Sequence, residues 1–353
     1  MWKEIFMVNK FFFNRVLHAA AISLIISVSV FAASNDNGVS NSKPVLDANK
    51  IPYRIVNEKY VTTKGVRNWE LFIMDANGGH RRNLTGTPNV SEMYPHVSPD
   101  GTKICFVADE NVNNQKVQNV YYMNIDGTGR VKVANNATQS CWGPDSKKIA
   151  YLKAEYDTYT TEPYATSELI IYDIEKGEYK IHPNHTLEHL YALCWSPDGK
   201  WFLAAVGGGM GISDTIIAFE ADGTKVYDLM EDNICGCRPD ISSDGKKLFW
   251  GHTDWELCTA DIDFNGDRPK VQNIKTIFTC PKNMKLYHID VSPDGQYVTF
   301  SYGPFAGGQQ VGGFARGWNT YVGDLYGHKV QITFDGNHNK EPDWVPPPAQ
   351  NKK

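Results

Sequence analysis

Three short segments repeat one spacing, with reactive side chains at both ends: Arg238-Pro-Asp240, His288-Ile-Asp290 and Glu341-Pro-Asp343. The arginine fork suits a carboxylate or a sulfate. A histidine with a tyrosine nearby supplies a base and an acid. Arg238 as the cation, His288 or His252 as the base and Tyr287 as the acid would serve one reaction well. That reaction is the elimination in which a proton leaves the carbon beside a uronate carboxylate. His288, His338, Asp290 and Glu341 offer a second chemistry, because imidazole and carboxylate together bind divalent ions such as calcium or manganese. The competing reading is structural: buried aspartates that accept hydrogen bonds from backbone groups, or that pair with Arg238. Ligand recognition would also draw on Arg67, Tyr94, His189, Tyr191, Arg316, Trp318, His338 and Glu341.

A repeat sets the places of these triplets. His96-Val-Ser-Pro-Asp-Gly101 recurs as Cys141-Trp-Gly-Pro-Asp-Ser146 and Cys194-Trp-Ser-Pro-Asp-Gly199. It returns as Asp240-Ile-Ser-Ser-Asp-Gly245 and Asp290-Val-Ser-Pro-Asp-Gly295. The repeated aspartates at 100, 145, 198, 244 and 294 are 45 to 53 residues apart. Pro and Asp suit the first positions of a tight turn, and Gly takes the left-handed one. A β-prone run follows each turn, as in Ile104–Val107 and Tyr297–Phe300, which makes the second arm of a hairpin. Third strands are expected at 69–75, 120–125, 169–174, 216–220, 257–262 and 320–325. Shorter fourth strands follow, and polar loops are expected at 110–118, 155–167, 207–214 and 303–318.

Four antiparallel strands per repeat predict an all-β six-bladed propeller over 51–347. Five repeats are complete. Residues 52–85 lack the opening phrase, and Glu341-Pro-Asp-Trp-Val-Pro346 supplies it, so one blade is shared between the two ends of the chain. Sharing closes the ring and removes open edges. Counting back from each turn yields two sets. Tyr94, Gln139, Ala192, Arg238, His288 and Glu341 form one; His96, Cys141, Cys194, Asp240, Asp290 and Asp343 form the other. Period-two alternation puts both on one face of their strands, toward the channel. The long loops emerge at one end of that channel, where recognition is expected.

The rest of the chain narrows the setting. Lys3, Lys10 and Arg15 precede an apolar run from Val16 to Ala33, with small residues around a cut after Ala32. This predicts a signal peptide over 1–33, hence a periplasmic or secreted protein with no membrane insertion after signal removal. A retained anchor is the alternative. A polar linker is expected at 34–50 and a tail at 348–353. Seven cysteines include four in apolar strand runs, while Cys235 or Cys237 could pair with Cys280. A net charge of −5 gives no reason to expect nucleic acid as partner. No nucleophile elbow, P-loop or His-Glu-x-x-His is present.

The phrases Cys194-Trp-Ser-Pro-Asp-Gly-Lys200 and Tyr122-Met-Asn-Ile-Asp-Gly-Thr-Gly129 resemble the repeats of the TolB-like propeller family. Trp69–Asp75 with Arg82-Asn-Leu-Thr85 is similar to that family's third and fourth strands. The resemblance covers residues 52–347 and implies the fold. It departs from TolB in lacking the N-terminal α/β domain, since only the short polar stretch precedes the first strand. Similar propellers occur in oligogalacturonate lyases and in accessory domains of prolyl-oligopeptidase-like peptidases. The expected function is a binding module whose long-loop face takes a glycan or an envelope protein. The enzymatic alternative is a polysaccharide lyase acting on uronate-containing chains.

Overall fold

The computed structural model describes residues 45–157, 160, 164–212, 214–305, 316–336 and 338–347. The expected signal peptide, most of the expected linker, the tail, and residues 306–315 of the Gly-rich loop lie outside the described residues. Six four-stranded antiparallel sheets form the blades of a ring. Blade one takes its inner strand, Asn339–Val345, from the far end of the chain and its other three from Arg54–Thr63, Val66–Asp75 and Arg82–Asn83. Blades two to six follow in order, with inner strands Ser91–Val97, Ala137–Trp142, Leu190–Trp195, Cys237–Ile241 and Met284–Val291. Among the described residues the helical pieces are short 3-10 turns, Ala48–Lys50 and Leu229–Asp232, and no helix is long and apolar enough to cross a membrane.

The blade strands are apolar on both faces because each blade is packed on two neighbours. In blade four, Phe202, Ala204, Ile217 and Phe219 face blade three, while Leu203, Ile216 and Ala218 face blade five. Six such clusters, one per blade interface, carry the core. Burying one such phenylalanine contributes roughly 1.5–3 kcal/mol. The repeated phrase folds as expected. Ser98 Oγ donates to Asp100 Oδ1 (2.6 Å) and accepts from Lys103 N (2.9 Å), and the same pair of bonds recurs at Ser196, Ser242 and Ser292. The closing glycines sit at φ between +68° and +74°, and Ser146 takes the same left-handed place at +57°.

Two boundaries differ from the sequence reading. The loop expected at 110–118 is a hairpin: strands Lys103–Val112 and Gln115–Asn124 meet at Asn113-Asn114, both at positive φ. Asparagine tolerates that conformation, so two of them make the tight primed turn that extends the ladder. The ordered chain also begins before 51. Asp47 caps the turn at Ala48–Lys50 by accepting from Asn49 N (3.1 Å), and Ala48 and Ile51 are buried.

Ring closure is polar as well as apolar. Ile55 pairs with Trp344 and Val56 with Asp343. Beside them Lys340 Nζ lies 3.1 Å from Glu58 Oε1, both side chains 0% exposed, and 4.2 Å from the Trp69 ring centroid. Lys340→Met should therefore strand the Glu58 charge and cost about 3–5 kcal/mol, measured by denaturant unfolding. The double variant Glu58→Gln/Lys340→Met should recover most of that loss. A double variant as unstable as the single one would refute the pairing as the cause.

Candidate functional site

Each inner strand carries a bulge where its reactive residues lie. Register shifts fall between Met93 and His96, Thr138 and Cys141, Tyr191 and Cys194, Cys237 and Asp240, and Tyr287 and Asp290. Blade one shifts at the matching place, opposite Val56 and Glu58. Tyr94, Gln139, Ala192, Arg238, His288 and Glu341 all sit at φ between +47° and +57°. A side chain held there costs on the order of 1–3 kcal/mol, and the surrounding structure must enforce it. Three consecutive residues of five blades then line the channel, Tyr94-Pro95-His96 being one set and Arg238-Pro239-Asp240 another, while blade three contributes Gln139 and Ser140. Every member of the two expected sets except Cys141 reaches the channel, through this bulge rather than by strict alternation; Cys141 is fully buried in the cluster between blades three and four. The signal was present in Tyr94-Pro95, Arg238-Pro239 and Glu341-Pro342, because proline inside a strand marks a bulge.

The channel is narrow, about 100 Å³. Its upper ring is charged on blades five, six and one. Arg238 Nη1 donates to Glu341 Oε1 at 3.3 Å, and His288 Nε2 lies 2.7 Å from the same oxygen. His288 Nδ1 is 3.0 Å from Ser301 Oγ. Burial holds the His288 pKa down at about 4, against the pull of Glu341. Burial would raise Glu341, but Arg238 and His288 outweigh it and bring it to about 2. Burial also disfavours the Arg238 charge, and Glu341 reverses this, so the guanidinium is charged. At neutral pH the trio is therefore Arg⁺, Glu⁻ and neutral His.

The lower ring joins blade to blade. Asp343 accepts from Val97 N (3.1 Å), Asp240 from Val291 N (2.6 Å) and Asp290 from Trp344 N (2.8 Å). His96 Nδ1 stands 3.4 Å from Trp142 N in the same role. Burial raises Asp240 to about 6 and lifts Asp290 and Asp343 well above the usual carboxylate range, with mutual repulsion adding to it. The upper ring repeats the device: Glu58 accepts from Tyr94 N (2.7 Å) and Gln139 Oε1 from Ala192 N (2.7 Å). Burial raises Glu58 to about 7 although Lys340 opposes it. Among the described residues no three His, Cys, Asp or Glu converge as a metal site.

Several expected site residues lie elsewhere. His252 is not in the channel; its Nδ1 is 3.3 Å from Cys235 Sγ, near the blade-four interface. His338 is buried between Tyr60 and Trp69 rings, so it does not join His288, Asp290 and Glu341 in a ligand set. His189 meets Glu155 (3.1 Å). Tyr191 lies by Cys237, which with burial raises its pKa. Trp318 is buried against Gly303 and the Tyr287 ring, 5.7 Å away. Arg67 and Arg316 are exposed on the long-loop side. All seven cysteines are free, and Cys280 is buried in the cluster between blades five and six rather than bridged to Cys235 or Cys237.

A cluster on the long-loop face went unread in the sequence. Asp254 accepts from Lys285 Nζ and from the Tyr287 hydroxyl. The rings of Phe305, Trp255 and Tyr287 surround Lys285 Nζ at 4.5, 5.6 and 5.6 Å. Phe305 is 40% exposed. Tyr287 thus serves this cluster, not the His288 pair. The residues come from the ends of three different strands, which only the fold brings together.

No known family's sequence model matches the chain, and no curated protein matches it. Its structure is similar to TolB from Acinetobacter baumannii, at 17% identity and a TM-score of 0.62, over 84% of this chain and 67% of that one. It is also similar to a putative TolB from Agrobacterium tumefaciens, at 15% identity and 0.55, over 82% and 91%. Hydrazine synthase of Kuenenia stuttgartiensis gives 12% and 0.56, over 83% of this chain and 46% of that one. The fold is that of the TolB-like six-bladed propellers, as the repeats implied.

The raised aspartates set a pH dependence. A carboxyl whose folded pKa exceeds its unfolded value contributes stability below the unfolded pKa and loses it as pH rises through the folded one. Asp290 faces Asp240 and Asp343, so its ionisation is the costly one. Asp290→Asn keeps an oxygen for Trp344 N and removes the charge. Melting temperatures should show the variant more stable than the parent at about pH 8 and little changed at about pH 4. Parallel curves across that range would disprove the assignment.

Proposed function

We propose that the protein is an exported binding module whose long-loop face takes a glycan, rather than a lyase. One observation carries this reading: the residues suited to proton abstraction are bound to each other. Arg238 and His288 both meet Glu341, and His288 is 4% exposed. A channel of about 100 Å³ is also well below the roughly 300–1,000 Å³ of ordinary ligand pockets. No uronate ring would fit between the base and the cation there. The face above offers what sugars use. Half-exposed rings at Trp255, Tyr287 and Phe305 stand beside Asp254 and Lys285, apolar surface next to donors and acceptors.

The TolB-like fold supports a binding propeller in general terms. The basic and apolar N-terminus supports export to the periplasm or the medium. An envelope protein is the second candidate for the same face. A glycan array, followed on each hit by ultraviolet absorbance for unsaturated product, separates the outcomes. Saturable glycan binding with no absorbance growth is expected. Trp255→Ala and Phe305→Ala should weaken it by about tenfold each, or roughly 1.4 kcal/mol, while His288→Ala leaves it intact in folded protein. Absorbance growth that disappears in His288→Ala would overturn the reading in favour of the lyase. Binding to envelope proteins alone would replace the glycan with a protein partner.

A further inference from the structure

Two hollows of ligand size lie on the opposite face, among the Ser-Pro-Asp-Gly turns. The first, about 440 Å³, lies between blades three and four. Trp195, Tyr179 and Ile171 supply its apolar surface. The second, about 470 Å³, lies between blades four and five, with Trp201 and Phe264 in its wall. Gly199, Ala221 and Asp222 line both, so the two adjoin across the small residues of the blade-four turns. Gly199 stands at φ +74° in the tight turn, which keeps this saddle free of a side chain. The aromatic side chains are fixed in place. Trp195 Nε1 donates to Gly199 O (3.1 Å), and its ring is 4.4 Å from Phe202; the Tyr179 hydroxyl donates to Val133 O (2.8 Å) while the residue remains 56% exposed.

The rim decides the ligand class. Three lysines each meet an aspartate: Lys148 with Asp145, Lys176 with Asp173 (3.6 Å) and Lys180 with Asp222 (2.5 Å). Glu178 adds a fourth carboxylate. With Lys200 and Glu220 of the second hollow, an anion such as a uronate or a phosphate would meet five carboxylates, and a cation would meet four ammonium groups. A neutral polyhydroxylated ligand gains from both signs, donating to the aspartates and accepting from the lysines. Its C–H faces suit the negative faces of the indole and phenol rings. The combined space suits two or three sugar rings in a row, within the usual size of ligand sites. We propose that the two adjoining hollows form a binding site for a neutral oligosaccharide, separate from the long-loop face and independent of its ligand.

The test uses the full mature chain with maltotriose, cellotriose and triacetylchitotriose as probes and trigalacturonate as the charged control. Tryptophan fluorescence and ligand-observed NMR report binding. At least one neutral trisaccharide should bind saturably and more tightly than trigalacturonate. Tyr179→Ala and the double variant Lys180→Ala/Asp222→Ala should each weaken it by about tenfold. These residues are exposed, so both variants should melt like the parent, and Trp255→Ala on the far face should leave this binding unchanged. The proposal fails if none of the three neutral sugars saturates by about 10 mM, a range in which even weak sites show. It also fails if the groove variants bind as the parent does, or if trigalacturonate binds best. Loss in Trp255→Ala alone would assign the sugar to the long-loop face and remove this site.

Discussion

The structure depends on one recurring contact: a buried side chain of one blade accepting the backbone N–H of the next. Asp343, Asp240 and Asp290 make it through carboxylates, His96 through its ring, and Glu58 and Gln139 at the upper level. The bulge creates the need for it. Turning each inner strand left-handed at one residue breaks the ladder and leaves donors that the sheet cannot satisfy. An unsatisfied buried donor costs about 1–3 kcal/mol, so such donors require partners close at hand, and these six serve five of the bulged strands, that of blade two twice. Neighbouring blades supply them, and this ties the radial packing of apolar clusters to a polar ring at the axis.

That economy explains why residues with catalytic potential need not be catalytic. Glu341 holds both Arg238 and His288, and the trio balances its own charge in a narrow channel of about 100 Å³. Removing Arg238 or Glu341 would leave a buried charge alone, the most costly outcome for such a group. On the proposed reading, function is left to surfaces whose side chains are only partly engaged. The cluster around Lys285 and the turn-side hollows beside Trp195 both combine apolar rings with paired charges. They differ in which elements build them: strand ends on one face, tight turns on the other.

The fold was legible because its information is local and repeated. Ser-x-Asp-Gly reports a turn wherever it occurs, and the strands on either side carry apolar runs long enough to be read singly. The shared blade was legible from Glu341-Pro-Asp-Trp alone. The site was legible only in part. Counting back from the turns located Arg238, His288 and Glu341 correctly in the channel, but period-two reasoning could not show the bulge that places them there. His252 and His338 were drawn in by residue type; contact with Cys235 away from the channel removes the first, and burial between Tyr60 and Trp69 the second. Lys340 and Glu58 gave no sign, since a charged pair with both members fully buried is rare. Asp254, Lys285 and Phe305 lie far apart in sequence, and no local pattern links them.

The placement of charge around the ring follows from where the chain closes. Arg238, His288 and Glu341 sit on blades five, six and one, and the Lys340–Glu58 pair lies inside blade one itself. Blades two to four carry Tyr94, Gln139 and Ala192 instead. Blade one alone must recruit its inner strand from residues nearly 300 positions away in sequence, so its register is not set by a short turn. A slip of two residues would keep side chains on the same faces, so period alone does not forbid it, although Trp344 and Val345 would leave their core clusters. Buried charges do not tolerate it: any slip separates Lys340 from Glu58 and Glu341 from Arg238, at several kcal/mol for each unpaired ion. The charged half of the channel is therefore best understood as the register lock of ring closure. Its cost in desolvation is balanced by the single alignment that it permits.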